Sequence, residues 1–225
     1  QTPPAFRRRT PFVPFALHNT TGCTLMFHTQ VIATDNRKDR RNRDQSSSLQ
    51  DQEEVKDWKK VENGETAPFM FANRGKQRHQ NTHQHQLHQV IVRVEGWREV
   101  KPVSVDKVGT FFRNVNALRN TSSLTEIPPA RVVFQVSLEG SARKLITVRS
   151  ALEIENKLAV PLKIRLENTA LKVADVKEFE LLPRAKLPVP ILYCWAKMTA
   201  RPFVANSYQW KFSDKQVHWC HILDS

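Results

Sequence analysis

The chain reads as all-β: tandem antiparallel β-sandwich modules in a repeat array, with long disordered insertions. Three observations carry that reading. Apolar and polar residues alternate strictly over many short windows, helical periodicity is scarce, and one strand–Asn–strand phrase is written twice.

The first copy of the phrase is Phe15 to Phe27, FALHNTTGCTLMF, and the second is Leu152 to Ile164, LEIENKLAVPLKI. Laying Asn19 on Asn156, 137 residues further on, sets Leu17 on Ile154, Leu25 on Leu162 and Phe27 on Ile164. Between the copies, Asp35 to Glu54 is charged and polar almost throughout. It cannot bury enough apolar surface to offset the entropy of ordering, so a disordered insertion is expected at about 34–56. Val55, Trp58 and Val61 suit a short helical turn or a strand. Val90–Val94 (VIVRV) alternates, and Asn116–Pro129 follows as a milder loop. Arg131–Leu138 (RVVFQVSL) places Val132, Phe134, Val136 and Leu138 on one face. Leu145–Asn156 places Ile146, Val148, Ser150, Leu152 and Ile154 on one face, with charged residues opposite. That period of two belongs to a half-buried strand. Leu162–Leu166 and Gln209–Phe212 follow the same rule. The expected division is a first β-module over 1–145, carrying the insertion, and a second over 146–225, each leaning on its neighbour.

The 225 residues suffice for two modest cores, and 40% of them are hydrophobic. The chain opens on Gln rather than Met and is expected to be a piece of a longer protein. Its first residues lack the apolar centre of a signal peptide, and no run of about 18 apolar residues occurs to span a membrane. Cys23, Cys194 and Cys220 are too few and too irregular for a disulfide framework, which favours reduced thiols. The sequons at Asn19 and Asn120 carry little weight against that. The net charge is +13, which favours an anionic partner: nucleic acid, a phospholipid surface or an acidic protein.

Signals of catalysis are lacking. No nucleophile elbow, zinc-protease helix, dinucleotide fingerprint or phosphate loop occurs, and the six glycines are scattered. An enzyme is not expected, and neither is a cofactor. His79, His83, His85 and His88 cluster in RHQNTHQHQLH, but no Cys or carboxylate stands near to complete a metal set. A solvated loop approaching the next strand fits them better, so no metal site is assigned. Basic residues are dispersed and aromatics sit at apolar strand positions, so nucleic acid is not the expected partner either.

The two asparagines are the candidate site. A short amide at a strand end bonds nearby backbone and tolerates left-handed angles, which gives Asn19 and Asn156 a structural, module-defining role. A direct role in gripping a partner is the alternative. Leu187–Pro190 (LPVP) has Pro-x-Pro spacing and reads as a connection between strands, with self-docking as the sharper alternative.

Four phrases go beyond generic β: PFVPFALHNTTGCTLMF (11–27), DWKKVENGETAPFMF (57–71), GWREVKPVSVDKVGTFFR (96–113) and VVFQVSLEGSARKLITVRSALEIENKL (132–158). Together they resemble the adaptor-binding region of the vacuolar protein sorting 13 family of bridge-like lipid-transfer proteins, and within it the D-type branch. The likeness covers nearly the whole chain and is weakest over 34–54 and beyond about Leu181. It implies a non-catalytic scaffold. Tandem β-modules would bind adaptor proteins that present short Pro-x-Pro peptides and so choose an organelle. It also implies one characteristic Asn per module, with Asn19 and Asn156 in that place. The setting would be cytoplasmic and peripheral, at membrane contact sites of mitochondria or peroxisomes. The competing function is direct binding of anionic phospholipid through basic loops, carried by Arg7, Arg8, Arg9, Arg40 and Arg41.

Overall fold

The computed structural model describes residues 13–34, 57–71, 85–118, 129–140, 142–168, 175–203 and 210–217. Among them are fourteen strands and one 3-10 turn, and no α-helix. In chain order the strands are β1 (Phe15–Thr20), β2 (Leu25–Thr34), β3 (Lys59–Val61), β4 (Thr66–Phe69), β5 (His85–Val94), β6 (Val103–Ser104) and β7 (Gly109–Val115). There follow β8 (Ala130–Glu139), β9 (Arg143–Ser150), β10 (Glu153–Glu155), β11 (Leu162–Asn168), β12 (Asp175–Leu181), β13 (Lys186–Pro188) and β14 (Lys197–Pro202). The all-β class predicted from alternation is the observed one.

Two sheets enclose the larger core. One runs β4-β1-β9-β8-β7, the other β3-β2-β5-β6. Leu17, Phe27, Phe69, Val92, Trp97, Phe134 and Ile146 meet between them. The alternation of β8 explains its place: Val132, Phe134 and Val136 are buried while Arg131 and Gln135 face outward. Burial of each such side chain is worth about 1.5–3 kcal/mol relative to exposure. Leu138, expected on the same buried face, is 58% exposed, because it pairs with Lys144 near the open end of the β8–β9 hairpin. The smaller core lies among β12-β11-β14 and β10-β13, around Ile164, Leu166, Leu181, Val189 and Tyr193.

Three local expectations shift. First, not every pair is antiparallel. β1 lies parallel to β9, with Leu17 opposite Ile146 and Asn19 opposite Val148. A parallel pair needs a long crossover, and the chain from β2 to β8 supplies it. Second, the run 145–156 is not one strand. β9 bonds to β1 and β8 in the first sheet, whereas β10 bonds to β13 in another. The division expected at 145/146 falls inside β9, and the change of sheet comes at 151–152. Third, Trp210–Phe212 lies outside the strands, and Phe212 sits beneath the guanidinium groups of Arg165 and Arg201, 3.9 and 4.8 Å from them. The segment at Trp58–Val61 resolves as strand rather than helical turn, with β3 covering the edge of β2. The expected insertion lies outside the described residues over 35–56, as does most of the 116–129 loop.

Between β13 and β14 the chain passes from one core to the other, residue by residue. Val189 belongs to the smaller core, Ile191 to the larger, Tyr193 to the smaller and Cys194 to the larger. The 3-10 turn Ile191–Tyr193 gives the three-residue spacing that allows this. LPVP is thus a connecting segment, as the sequence suggested, and its second half forms a seam between the two cores. Ser150 at the end of β9 donates its hydroxyl to the Val189 carbonyl, tying the seam to the first sheet.

Candidate functional site: two asparagine-centred turns

Asn19 and Asn156 are both buried, at 0% and 1% exposure. A buried amide costs stability unless its two N–H donors and its oxygen find partners. Asn19 fills all of them. Its Nδ2 donates to the carbonyls of Cys23 (2.8 Å) and Val61 (2.9 Å). Its Oδ1 accepts from the Thr21 amide (3.0 Å) and the Thr21 hydroxyl (2.8 Å). The main chain adds two bonds: Asn19 N–H to Glu65 O (3.0 Å) and Gly64 N–H to Asn19 O (2.7 Å). One residue therefore closes the β1–β2 turn and clamps it to the β3–β4 hairpin.

Asn156 repeats the pattern. Its Nδ2 donates to Val160 O (2.9 Å), Leu181 O (3.0 Å) and Leu182 O (3.2 Å), and its Oδ1 accepts from the Leu158 amide (3.0 Å). Its main chain bonds Ala185 and Arg184 as Asn19 bonds Glu65 and Gly64. Both amides reach residues two and four places on, and then a hairpin turn far along the chain. The strand registers agree as well. Leu17 faces Ala67 across β1–β4, and Ile154 faces Leu187 across β10–β13.

One detail of the sequence reading does not survive. Left-handed backbone angles were expected at the asparagines, but both have negative φ. The left-handed residues lie across the hairpin, at Gly64 (φ 84°) and Arg184 (φ 63°). Each is third in a four-residue turn closed by Glu65 N–H to Glu62 O and Ala185 N–H to Leu182 O, the type II pattern. These hairpins are the half of the site that sequence reasoning missed. Asn63-Gly64 is a turn signal that could have revealed the first. Leu182-Pro183-Arg184 hides the second, since Pro fits the turn's second position but Arg gives no sign of a left-handed third.

The surroundings of the two sites differ. The first loop is sealed by the seam: Ile191 N–H donates to Thr21 O (2.8 Å). Pro190 lies so close to Gly22 that a Cβ there would come within 2.3 Å of it. Asn63 Oδ1 accepts the Gly22 amide (2.8 Å). The second loop has no such cover among the described residues, and Leu158 (52%), Val160 (38%) and Leu182 (57%) stand open to solvent.

Other candidates resolve as follows. Burial pushes the Cys23 thiol up to about 11, with Glu95 adding to the effect. Burial pushes Cys194 up to about 12. Both are free and stay protonated at neutral pH, the inert rather than the nucleophilic state. Among the described residues no group of His, Cys, Asp or Glu could hold a metal ion. His79 and His83 lie outside the described residues, and His85 opens β5. His88 is held within the first sandwich, its amide and Nδ1 both bonded to Asp106 (2.9 and 2.8 Å). Arg7, Arg8, Arg9, Arg40 and Arg41 also lie outside the described residues.

Small β-sandwiches, each closed by a buried Asn and offering loops rather than a catalytic cleft, define a class of binding scaffold. The family model for the vacuolar-sorting associated protein 13 adaptor binding domain matches residues 57–225, and the chain belongs to that family. Two relatives are the intermembrane lipid transfer proteins VPS13D of Homo sapiens and Vps13D of Drosophila melanogaster. The first is 39% identical over 243 residues, covering 96% of this chain and 5% of the relative. The second is 37% identical over 222 residues, covering 95% and 5%. The chain thus spans about a twentieth of the length of these relatives.

Proposed function

We propose that the chain is a non-catalytic docking scaffold, part of a larger intermembrane lipid transfer protein. It would receive short Pro-x-Pro peptides of adaptor proteins and so bring the parent to organelle contact sites. Membership of the adaptor-binding family carries this reading. The fold supplies a physical route. β7 and β12 each end a sheet and pair on one side only among the described residues, and each turns an apolar side chain outward, Phe112 and Val176. An extended peptide can add to such an edge, with Pro holding the extended shape and alternate side chains setting specificity. The setting would be cytoplasmic and peripheral, at mitochondria or peroxisomes. No helix of the described residues is long and apolar enough to cross a membrane. The asparagines act in this reading by shaping the modules rather than by touching the peptide.

The net charge of +13 favours a second reading, direct docking to anionic phospholipid. Capture of adaptors by the intact chain, with and without competing Pro-x-Pro peptide, tests the first. Flotation with phosphatidylserine vesicles at low and high salt tests the second, since electrostatic docking fades steeply with salt. Adaptor capture insensitive to the peptide, with flotation lost at high salt, would replace the first reading by the second.

A further inference from the structure

The same Asn-centred unit occurs twice in this chain, and only one of its two loops is covered. We propose that the surface formed by Leu158, Val160 and Leu182 is the docking face for a further β-module of the same build in the parent chain. That module would present the counterpart of Val189–Leu192. The inference rests on the reading that the parent is an array of such modules.

The residues around Asn19 show what such a surface is for. Thr21 and Gly22, two and three places after Asn19, are met by Pro190 and Ile191 of the following unit, through a main-chain bond and a close backbone approach. The equivalents after Asn156 are Leu158 and Ala159, and the hairpin residue answering Glu62 is Leu182. Three polar or small positions at the covered site (Thr21, Cys23, Glu62) become three exposed apolar ones at the open site (Leu158, Val160, Leu182). All three are carried by backbone that bonds the one Asn156 amide, so they form a single patch. A surface evolved to face water would show the reverse substitution.

Chemistry also says how the second contact differs from the first. Ala159 stands where Gly22 stands, and a proline seated as Pro190 is would meet its Cβ, as it would meet one added at Gly22, at 2.3 Å. The incoming segment must therefore stand further off than Pro190 does. The gap passes to larger side chains, which is the role Leu158, Val160 and Leu182 can fill. The first contact is mainly backbone on backbone, and the second is mainly side chain on side chain.

Hydroxyl-radical footprinting reads the exposure of these side chains directly. It would compare the 225-residue chain with the parent polypeptide carried about 100 residues further, one module's length. Oxidation of Leu158, Val160 and Leu182 is expected to fall at least five-fold in the longer chain. Leu138, exposed at the far end of the β8–β9 hairpin, should react equally in both. Leu158→Asp should restore oxidation of Val160 and Leu182 in the longer chain, and leave the melting of the 225-residue chain unchanged. Equal oxidation of the patch in the two chains overturns the proposal. So does protection of the patch in the 225-residue chain by self-association, or by an added Pro-x-Pro peptide. Peptide binding elsewhere on both chains tests the docking function separately, so failure of that function is read from a different signal.

Discussion

The two asparagine sites share one hydrogen-bond plan and differ in what lies on top of it. Asn19 holds a loop that is itself a contact surface, through Thr21 O to the Ile191 amide. Asn156 holds a loop whose apolar residues are open. A buried amide that bonds only backbone and its own loop explains the geometry of a module. What the loop then meets decides how far the loss of that amide travels.

The largest effects should follow removal of the amides. Asn19→Ala leaves the carbonyls of Cys23 and Val61 and the Thr21 amide without their partner. At about 1–3 kcal/mol for a buried group left unpaired, a loss of about 3 kcal/mol is expected in equilibrium unfolding. Asn156→Ala should cost less, about 2 kcal/mol, since its loop is more exposed and solvent can reach the freed groups. Asn→Ser at either site should be nearly as damaging, because a hydroxyl has one donor where the amide has two. The sites share no hydrogen-bond partner, so the double variant should lose the sum within about 0.5 kcal/mol. A clear shortfall from the sum would mean that the seam couples the two sites. Unchanged stability with lost adaptor capture would instead assign the asparagines to the partner.

Next in size is Gly22→Ala, which targets the difference between the sites rather than their likeness. The new Cβ would collide with Pro190, and φ at Gly22 is 81°. Overpacking of this kind costs about 1–3 kcal/mol. The same test at the equivalent position, Ala159→Gly, should change stability by less than about 1 kcal/mol, the ordinary cost of glycine. Comparable losses from both changes would show that Pro190 yields freely and that the seam does not depend on close approach.

How much of this was legible beforehand follows from what periodicity reports. Alternation tells which side chains share a face, so Val132, Phe134, Val136, Ile146 and Val148 were placed correctly. It does not tell which strand lies alongside. Hence the parallel pairing of β1 with β9, two strands more than a hundred residues apart, was invisible, and so was the switch of sheet at 151–152. Leu138 failed for a related reason: its face is apolar, but the sheet extends past the layer that covers it. The asparagines were found because the phrase around them repeats. Their hairpins were not, because Val61–Glu65 and Leu181–Ala185 share a backbone shape and almost no side chains.

Acid should weaken both units through one carboxylate in each. Burial pushes the Asp106 carboxyl up, but the amide and ring of His88 and the Ser104 hydroxyl outweigh it, and the group titrates below its usual range. Lys163 and then Arg165 hold Glu178 low. A carboxyl whose pKa is lowered on folding stabilises the fold fully above its unfolded value, near 4, and loses that contribution as pH falls through the folded value. Melting temperature should thus hold from pH 7 to about 5 and drop below 4. Asp106→Asn should flatten part of that drop, whereas Glu178→Gln should act weakly because its pair is solvent-screened. A drop unaltered by Asp106→Asn would place the acid-sensitive group elsewhere.

The smallest effect is the sharpest test of equivalence between the two turns. Gly64 and Arg184 hold the same left-handed place, and only one of them is glycine. A residue with a Cβ pays roughly 1–2 kcal/mol in that conformation. Glycine avoids the cost but gains freedom in the unfolded chain, which returns about 0.5–1 kcal/mol. Arg184→Gly should therefore stabilise by about 0.5 kcal/mol, a rise of about 1–2 °C for a chain of this length. Gly64→Ala should destabilise by about as much. It does so through the backbone alone, since a Cβ at Gly64 would meet nothing within 4 Å. Opposite signs from these two changes are what a shared turn requires. If Arg184→Gly lowers the melting temperature, the exposed guanidinium makes a contribution that Gly64 has no means to match, and the two turns are alike in shape only.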